Sequence, residues 1–234
     1  MRGDNEAWAR ALAARRLPGE PFRWELYALR LRECINPGRP WCDLGCGSTD
    51  FVEEFAAACT LAVGLDETPP EAPPRPFVRA KIERLPFREG AFGSLSLRFV
   101  VEHLPEPEKV WAECARVLAA GGRLVLITTN RRAPLVRLAA LLPQGLKRRI
   151  VSALYGVRPE AVLPVFHRWN TPERVAEAPA GFELERIEYC EALDWHSRSL
   201  FRCLLALACF TARESRRRLR SNLIAVYRRT GQSS

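Results

Sequence analysis

One acidic residue and two glycines occupy alternate positions in the stretch from Trp41 to Phe51. Asp43 follows two apolar residues and precedes Gly45 and Gly47. A helix-compatible run, Asp50 to Cys59, comes directly after them. Glycines at such a turn let the backbone approach a ligand and adopt φ values that other residues avoid. The pattern predicts a strand that ends in a ligand-binding turn and leads into a helix.

Two well-known nucleotide-binding patterns do not fit this turn. A dinucleotide fingerprint would place its third glycine where this chain has Asp50, and the Gly-Lys-Ser/Thr ending of a P-loop is absent. What remains is an acid followed by two alternating glycines. A strand, turn and helix without any ligand is the structural alternative.

A second acid occurs at the end of the next predicted strand, Leu61 to Leu65. Asp66 lies 21 residues past Gly45. An acid at this position of an α/β fold can accept hydrogen bonds from both ribose hydroxyls of an adenosine. Its spacing favours that role over a simple turn residue.

Strands and helices able to position these residues alternate along the chain, as in an α/β protein. Hydrophobic periodicity and turn residues predict the following elements: two helices before Ile35, separated at Leu17 to Gly19, then strand Phe77 to Ala80, strand Ser94 to Phe99, helix Pro107 to Leu118, strand Leu124 to Thr128, a helix starting at Pro172 with Thr171 as its N-cap, strand Leu184 to Cys190, a helical stretch from Ser197 to Leu219, and strand Asn222 to Arg229.

The connection between the second and third strands departs from this alternation. Thr68 to Pro76 holds five prolines in its last eight residues. Proline lacks the backbone N–H that an interior helix position needs. The segment therefore predicts a stiff, extended connection instead of a crossover helix.

Short motifs extend the pattern over residues 41–130. Leu85-Pro86-Phe87 is followed by Glu102-His103-Leu104 and then by Val117-Leu118-Ala119-Ala120-Gly121-Gly122. In this order, and after the glycine turn, the series resembles the type 11 family of class I S-adenosylmethionine-dependent methyltransferases. The resemblance implies a three-layer, Rossmann-like α/β fold with a seven-stranded, mostly parallel sheet and one antiparallel strand. It also implies S-adenosylmethionine as cofactor and S-adenosylhomocysteine as product.

The same resemblance assigns cofactor-binding positions. It implies that the methionine end of the cofactor lies near the first turn, at Asp43, Gly45, Cys46 and Gly47. The ribose is expected after the second strand, at Asp66 and Glu67, and the adenine near the third strand, at Ile82 and Glu83. Further contacts are expected at the tip of the fourth strand, at Arg98 and Phe99. Lys81 stands where the family usually has an aspartate that accepts from the adenine amino group, and an ammonium cannot accept a hydrogen bond. Either neighbouring groups supply those contacts or cofactor binding is weakened.

Candidate catalytic and acceptor residues come later in the chain. His103 follows the fourth strand at the ligand-bearing edge, where an imidazole that titrates near neutrality can serve as a base. Alternatively, Glu102 and His103 cap the next helix. His167, Arg168 and Trp169 are candidate acceptor-binding residues, with a purely structural aromatic as the alternative for Trp169.

The sequence predicts one methyltransferase domain over residues 1–234. Within it, residues 1–38 form an N-terminal helical cap and residues 39–130 form the cofactor-binding half. Residues 131–170 are predicted to be an insertion that acts as a lid or acceptor region. Residues 171–234 complete the sheet.

Composition limits the compartment and the partners. No run of about 18 uninterrupted apolar residues exists, and the first residues lack a signal-peptide core, so a cytoplasmic protein is expected. Eight cysteines without a C-x-x-C pair and three scattered histidines predict no zinc site. Arginine clusters in segments 131–150 and 213–220 contribute much of the net charge of +9. Such clusters can contact phosphates, an anionic membrane surface or an acidic partner, and a solvated basic face is the structural alternative. No recognised nucleic-acid-binding module accompanies them.

Three functions remain open at this level. The first is methyl transfer to a small-molecule or lipid-like acceptor. The second is a catalytically inactive methyltransferase fold that binds the cofactor or serves as a partner subunit, which Lys81 and the proline-rich connection would favour. The third is a membrane-surface interaction protein that works through its basic segments.

Overall fold

Seven strands form one sheet in a computed structural model, which describes residues 2–47, 51–143, 145–146, 149, 163–193, 195 and 197–231. The strands, in chain order, are β1 (Trp41–Leu44), β2 (Ala62–Asp66), β3 (Phe77–Arg79), β4 (Phe92–Arg98), β5 (Leu118–Thr129), β6 (Phe182–Cys190) and β7 (Asn222–Arg229). Their order across the sheet is β3-β2-β1-β4-β5-β7-β6.

Strand direction confirms the predicted fold class. The pairs from β3 to β5 are parallel, whereas β7 runs antiparallel to both of its neighbours. The chain moves outward from β1 to β2 and β3 on one side, and continues with β4 and β5 on the other. The carboxyl ends of β1, β2 and β4 therefore meet at a topological switch point, where open α/β sheets bind their ligands.

Helices cover both faces of the sheet. They are α1 (Arg2–Arg16), α2 (Arg23–Cys34), α3 (Phe51–Glu54), α4 (Pro107–Val117), α5 (Pro134–Ala140), α6 (Pro172–Ala176) and α7 (Arg198–Thr211). One core cluster buries Val110, Trp111 and Cys114 of α4 against the sheet. The other face is packed by α2 through Leu26 and Leu31. These faces follow the 3.6-residue periodicity of the sequence.

The proline-rich connection contains no helix, as its composition predicts. Pro74 is buried and packs directly on β2. A Cβ atom on Gly64 of β2 would come within 2.5 Å of the Pro74 Cγ atom. Glycine in the strand thus lets an extended, proline-rich segment lie where a crossover helix would otherwise pack.

Several predicted element boundaries are wrong. The helix expected from Asp50 to Cys59 is only the four-residue α3, followed by a 3-10 turn over Ala56–Ala58, because Phe55 leaves helical geometry at φ −99° and ψ 1°. Asp50 itself lies outside the described residues. The fifth strand begins at Leu118, six residues before Leu124, because Leu118 already pairs with Phe92.

The remaining predicted elements are present. Thr171 caps α6, since its hydroxyl accepts from the Arg174 backbone N–H at 3.3 Å. The last helical stretch consists of α7 and a separate 3-10 turn, Glu214–Leu219. Within the described part of the chain, no helix has the length and apolarity needed to cross a membrane.

Candidate active site

A cleft of about 420 Å³ opens at the carboxyl ends of β1, β2 and β4. Most of the cofactor positions implied by the family resemblance line it: Gly45, Gly47, Asp66, Glu67, Ile82, Glu83, Arg98 and Phe99. His103 lines the same cleft. The fold therefore brings together residues from four different connections of the sheet.

The glycine turn at the end of β1 forms one wall. Gly45 and Gly47 have φ values of 71° and 56°, which L residues rarely adopt. A Cβ atom on Gly45 would lie 2.5 Å from the Val100 side chain, so this position is sterically closed to larger residues. A Cβ atom on Gly47 would meet no described atom within 4 Å. Gly47 therefore presents bare backbone to open space in the cleft.

Asp66 closes the turn onto β2. Its two carboxylate oxygens accept from the backbone N–H groups of Gly47 and Thr68, each at 3.0 Å. These bonds fix the orientation of the carboxylate at the cleft wall. A carboxylate has about four acceptor sites, so both oxygens can still accept from a bound diol.

Asp43 is completely buried and does not line the cleft. One of its oxygens accepts from Ser96 Oγ at 2.6 Å, and the other accepts from Arg98 Nη2 at 2.5 Å. Arg98 Nη2 also donates to the Cys46 carbonyl at 2.9 Å. The expected direct contact between the Asp43 side chain and a cofactor is thus corrected: Asp43 acts on the site through Arg98, which holds the glycine turn against β4.

Cys46 contributes its backbone to the turn. Its side chain is buried, and burial raises the pKa of the thiol to about 12. The thiol therefore stays protonated at neutral pH and behaves as a small hydrophobe. The sequence-based expectation of a cofactor contact at Cys46 does not hold for its side chain.

Lys81 lies outside the cleft wall. Its side chain is 69% exposed, and its ammonium is 3.4 Å from a Glu67 carboxylate oxygen. Ala80, Ile82 and Glu83 line this side of the cleft instead. The departure from the family pattern at Lys81 thus produces a solvent-exposed ion pair beside the site.

Phe99 adopts an uncommon backbone conformation at the tip of β4. Its φ of 54° is a genuine outlier for an aromatic residue and costs of the order of 1–3 kcal/mol. Its ring packs edge-on against Trp24 of α2, with 5.6 Å between ring centroids. Such outliers concentrate at functional sites, and here the N-terminal helices support the cleft wall through this contact.

His103 lies on a 3-10 turn, Val101–His103, which follows β4. Its Nδ1 atom is 2.6 Å from the carbonyl oxygen of Pro164. A carbonyl oxygen only accepts, so Nδ1 carries the proton in this hydrogen bond. In the neutral imidazole, Nε2 is then the acceptor, which is the form that a general base needs.

The alternative in which Glu102 and His103 cap the next helix is wrong. Glu102 is buried and accepts from the hydroxyls of Thr128 and Thr129 at 2.8 and 2.7 Å, at the end of β5. Its backbone carbonyl accepts from Phe166 N at 2.8 Å. Glu102 therefore connects β5 and the segment after residue 163 to the turn that carries His103. Sequence reasoning missed this positioning role because the partners are distant along the chain.

The three predicted acceptor residues do not line the cleft. Trp169 is buried in the core, with its ring 5.5 Å from that of Trp111, so the structural alternative is correct for this residue. His167 is half-buried with a φ of 55°, and Arg168 is exposed. Leu163 and Pro164, a few residues earlier, line the cleft in their place.

Comparison with known proteins agrees with this geometry. The sheet order and the ligand cleft at its switch point define a Rossmann-like methyltransferase fold. Residues 42–126 match the type 11 methyltransferase-domain family. Over these residues the chain is similar to class I S-adenosylmethionine-dependent methyltransferases, which use S-adenosylmethionine as cofactor.

The individual proteins that the chain resembles share only part of its sequence. The chain is 28% identical over 170 residues to a ubiquinone biosynthesis O-methyltransferase of Hahella chejuensis, over 66% of this chain and 65% of that protein. It is 35% identical over 101 residues to an uncharacterized methyltransferase of Mycobacterium marinum, over 39% of this chain and 40% of the relative. The chain thus spans under two thirds of the length of these curated relatives. A Haloferax volcanii methyltransferase solved with the Trm112 activator shares the fold, with a TM-score of 0.60, 17% identity and coverage of 100% and 99% of the two chains.

Proposed function

We propose that this protein transfers a methyl group from S-adenosylmethionine to a small-molecule or lipid-like acceptor, with His103 as the general base. One observation carries the proposal: the Nε2 acceptor of His103 shares a cleft with the Gly47 backbone and the Asp66 carboxylate. The Nε2 atom of His103 can remove a proton, whereas the Gly47 backbone and the Asp66 carboxylate are suited to binding a nucleoside cofactor.

The cleft residues fit the cofactor in a defined order. The open space at Gly47 admits the methionine end close to the backbone. Asp66 is oriented to accept from the ribose hydroxyls, and Glu67 lies beside it. Ile82 and Glu83 would flank the adenine, and Phe99 lines the same cleft.

The reaction requires alignment and one proton transfer. When bound, S-adenosylmethionine supplies a methyl group on a sulfonium, which departs as a neutral thioether. The acceptor atom would gain the methyl group as the carbon–sulfur bond breaks, and His103 Nε2 would take the proton that the acceptor loses. Holding the two reactants at attack distance lowers the barrier by about 7–11 kcal/mol.

The acceptor side of the cleft is apolar. Val100, Leu104 and Leu163 line it next to His103. This lining supports an acceptor with an apolar body, and the name of the Hahella relative adds support for an oxygen as the methylated atom. We assign residues 131–170 to the acceptor region because Leu163 and Pro164 belong to that segment.

Calorimetric titration with S-adenosylmethionine and S-adenosylhomocysteine tests the cofactor site. The parent should bind both, and Asp66→Ala should weaken binding at least about 100-fold, because two charge-assisted hydrogen bonds of about 1.5–3 kcal/mol each are lost. Glu71→Ala is the matched control, since Glu71 is an exposed acid in the same connection and does not line the cleft. A folded parent that binds neither compound, or an Asp66→Ala variant with parental affinity, would contradict the proposal.

A further inference from the structure

One side of the cleft continues into a surface formed by α5, residues 163–168 and residues 213–219, which we call the docking face. No residue of α5 is buried. Leu135, Leu138 and Leu141 are 46%, 62% and 81% exposed. Residues three apart lie on one side of a helix, so these leucines form a single apolar stripe.

Arginines surround this stripe. Segments 131–143, 163–173 and 213–219 together hold eight arginines and two glutamates. Arg132 pairs with Glu173, and Arg217 pairs with Glu214. Four of the others, Arg137, Arg168, Arg213 and Arg218, make no ion pair with any residue that the structure describes. These segments therefore carry most of the net charge of +9.

The amino-terminal edge of the sheet provides a contrast. There Arg116 pairs with Glu113 at 2.7 Å, Arg123 pairs with Glu185 at 2.8 Å, and Arg228 pairs with Glu183. Three arginines at this end of the sheet are thus neutralised by acids, whereas four arginines on the docking face make no ion pair with a described residue. A uniformly arginine-rich surface does not explain that difference.

Backbone contacts make the docking face continuous. The Asn130 side chain, at the end of β5, donates to the carbonyl of Arg218 at 2.9 Å. The backbone N–H of Arg131 donates to the carbonyl of Asn170 at 2.9 Å. The segments before α5, after residue 163 and before β7 therefore meet at one point. Leu163, which is 60% exposed, joins this surface to the cleft that it lines.

We propose that the docking face binds the surface of an anionic phospholipid bilayer, so that the cleft opens toward the lipid. Exposed leucines can enter the headgroup region while the arginines contact lipid phosphates. A nucleic acid or an acidic protein could pair with the arginines through its charge. Charge pairing alone would leave the exposed leucine stripe without an apolar partner. The inference rests on the proposed lipid-like acceptor, which would reach His103 past Leu163.

Vesicle co-sedimentation of the full chain without cofactor tests this proposal. Vesicles of phosphatidylcholine mixed with phosphatidylglycerol are compared with vesicles of phosphatidylcholine alone. The parent should bind the anionic vesicles, and both Leu138→Asp/Leu141→Asp and Arg137→Glu/Arg218→Glu should bind at least about tenfold more weakly. Leu61→Asp and Arg88→Glu are matched controls, because both residues are exposed at the other end of the sheet, and they should bind like the parent.

The proposal that the docking face binds an anionic bilayer would be overturned by either of two results with vesicles: no binding to anionic vesicles, or equal binding to both vesicle types. Unchanged binding by the two double variants, or binding to a duplex oligonucleotide in place of vesicles, would also overturn it. Titration of the same variants with S-adenosylhomocysteine separates this result from the proposed function. Vesicle binding without cofactor binding would contradict the methyltransferase activity alone. Cofactor binding without vesicle binding would contradict the docking face alone.

Discussion

The imidazole of His103 receives its orientation from the carbonyl of Pro164, 61 residues further along the chain. That contact leaves Nε2 as the acceptor of the neutral ring. Glu102 supports the same turn from the other side through Thr128 and Thr129. The two neighbouring residues therefore have different roles. His103 faces the cleft, and Glu102 positions the turn that carries His103.

Substitution of His103 separates catalysis from binding. His103→Ala should lower kcat about 10²–10⁴-fold, because a positioned base is lost. His103→Gln can still donate to the Pro164 carbonyl but cannot take a proton, so it should be equally slow. Transfer of a labelled methyl group to a panel of small hydroxylated acceptors measures kcat, and added imidazole should partly restore the alanine variant. Nearly full activity of the glutamine variant would show that His103 has only a structural role.

Sequence patterns identified many of the individual residues that line the cleft. Gly45, Gly47 and Asp66 were recognisable because strand ends and turns are local features. Asp43 was not placed correctly, because its partner Arg98 lies on the neighbouring strand β4. An arginine at the end of a strand that is predicted to be buried is a usable signal, since a buried charge requires a partner.

The extended connection between β2 and β3 is the most unusual element of this chain. Pro74 packs on Gly64, whose missing Cβ provides the space. The Cys46 sulfur would also lie only 3.1 Å from such a Cβ. The glycine turn, β2 and the proline-rich connection are therefore packed as one unit beneath the cleft.

Gly64→Ala should destabilise the protein by about 1–3 kcal/mol, because an added methyl group overpacks this contact. Alanine would otherwise stabilise by about 0.4–1 kcal/mol through the unfolded state, so a loss identifies the steric effect. Urea denaturation measures the free energy of unfolding. Gly64→Ala/Pro74→Ala should recover part of the loss, and Gly38→Ala, with its nearest atom at 3.5 Å, should show none. A Gly64→Ala variant as stable as the parent would refute this packing argument.

Element types were predictable from local sequence, but several boundaries were not. The absence of a helix after β2 followed directly from five prolines. The early start of β5 depends on the pairing of Leu118 with Phe92, which no local propensity encodes. Strand ends are set by the neighbouring strand, so periodicity within one segment cannot locate them.

The cleft unites residues from position 45 to position 164, so ligand binding is linked to the stability of the whole fold. The glycine turn, the loops that follow β2, β3 and β4, and the segment at Pro164 must all be in place for the cleft to exist. Anything that binds only the folded form therefore stabilises the whole molecule by mass action.

S-adenosylhomocysteine at 100 times its dissociation constant should add about 2.7 kcal/mol to the free energy of unfolding. For a chain of this length, that gain corresponds to a rise in Tm of about 5–10 °C. Differential scanning calorimetry measures the shift, with Asp66→Ala at the same ligand concentration as the negative control. An equal shift in the variant would mean that the compound binds outside the proposed site.

The sequence alone was enough to predict the order of strands and helices, the glycine turn, the acid after β2 and the proline-rich connection. These features depend on residue types at short spacings, which local physics makes readable. Three contacts became visible only in the folded protein: Asp43 pairs with Arg98, Trp169 packs on Trp111, and Pro164 orients His103. Each of these contacts joins residues more than 50 positions apart, so only the packing of the complete sheet brings the partners together.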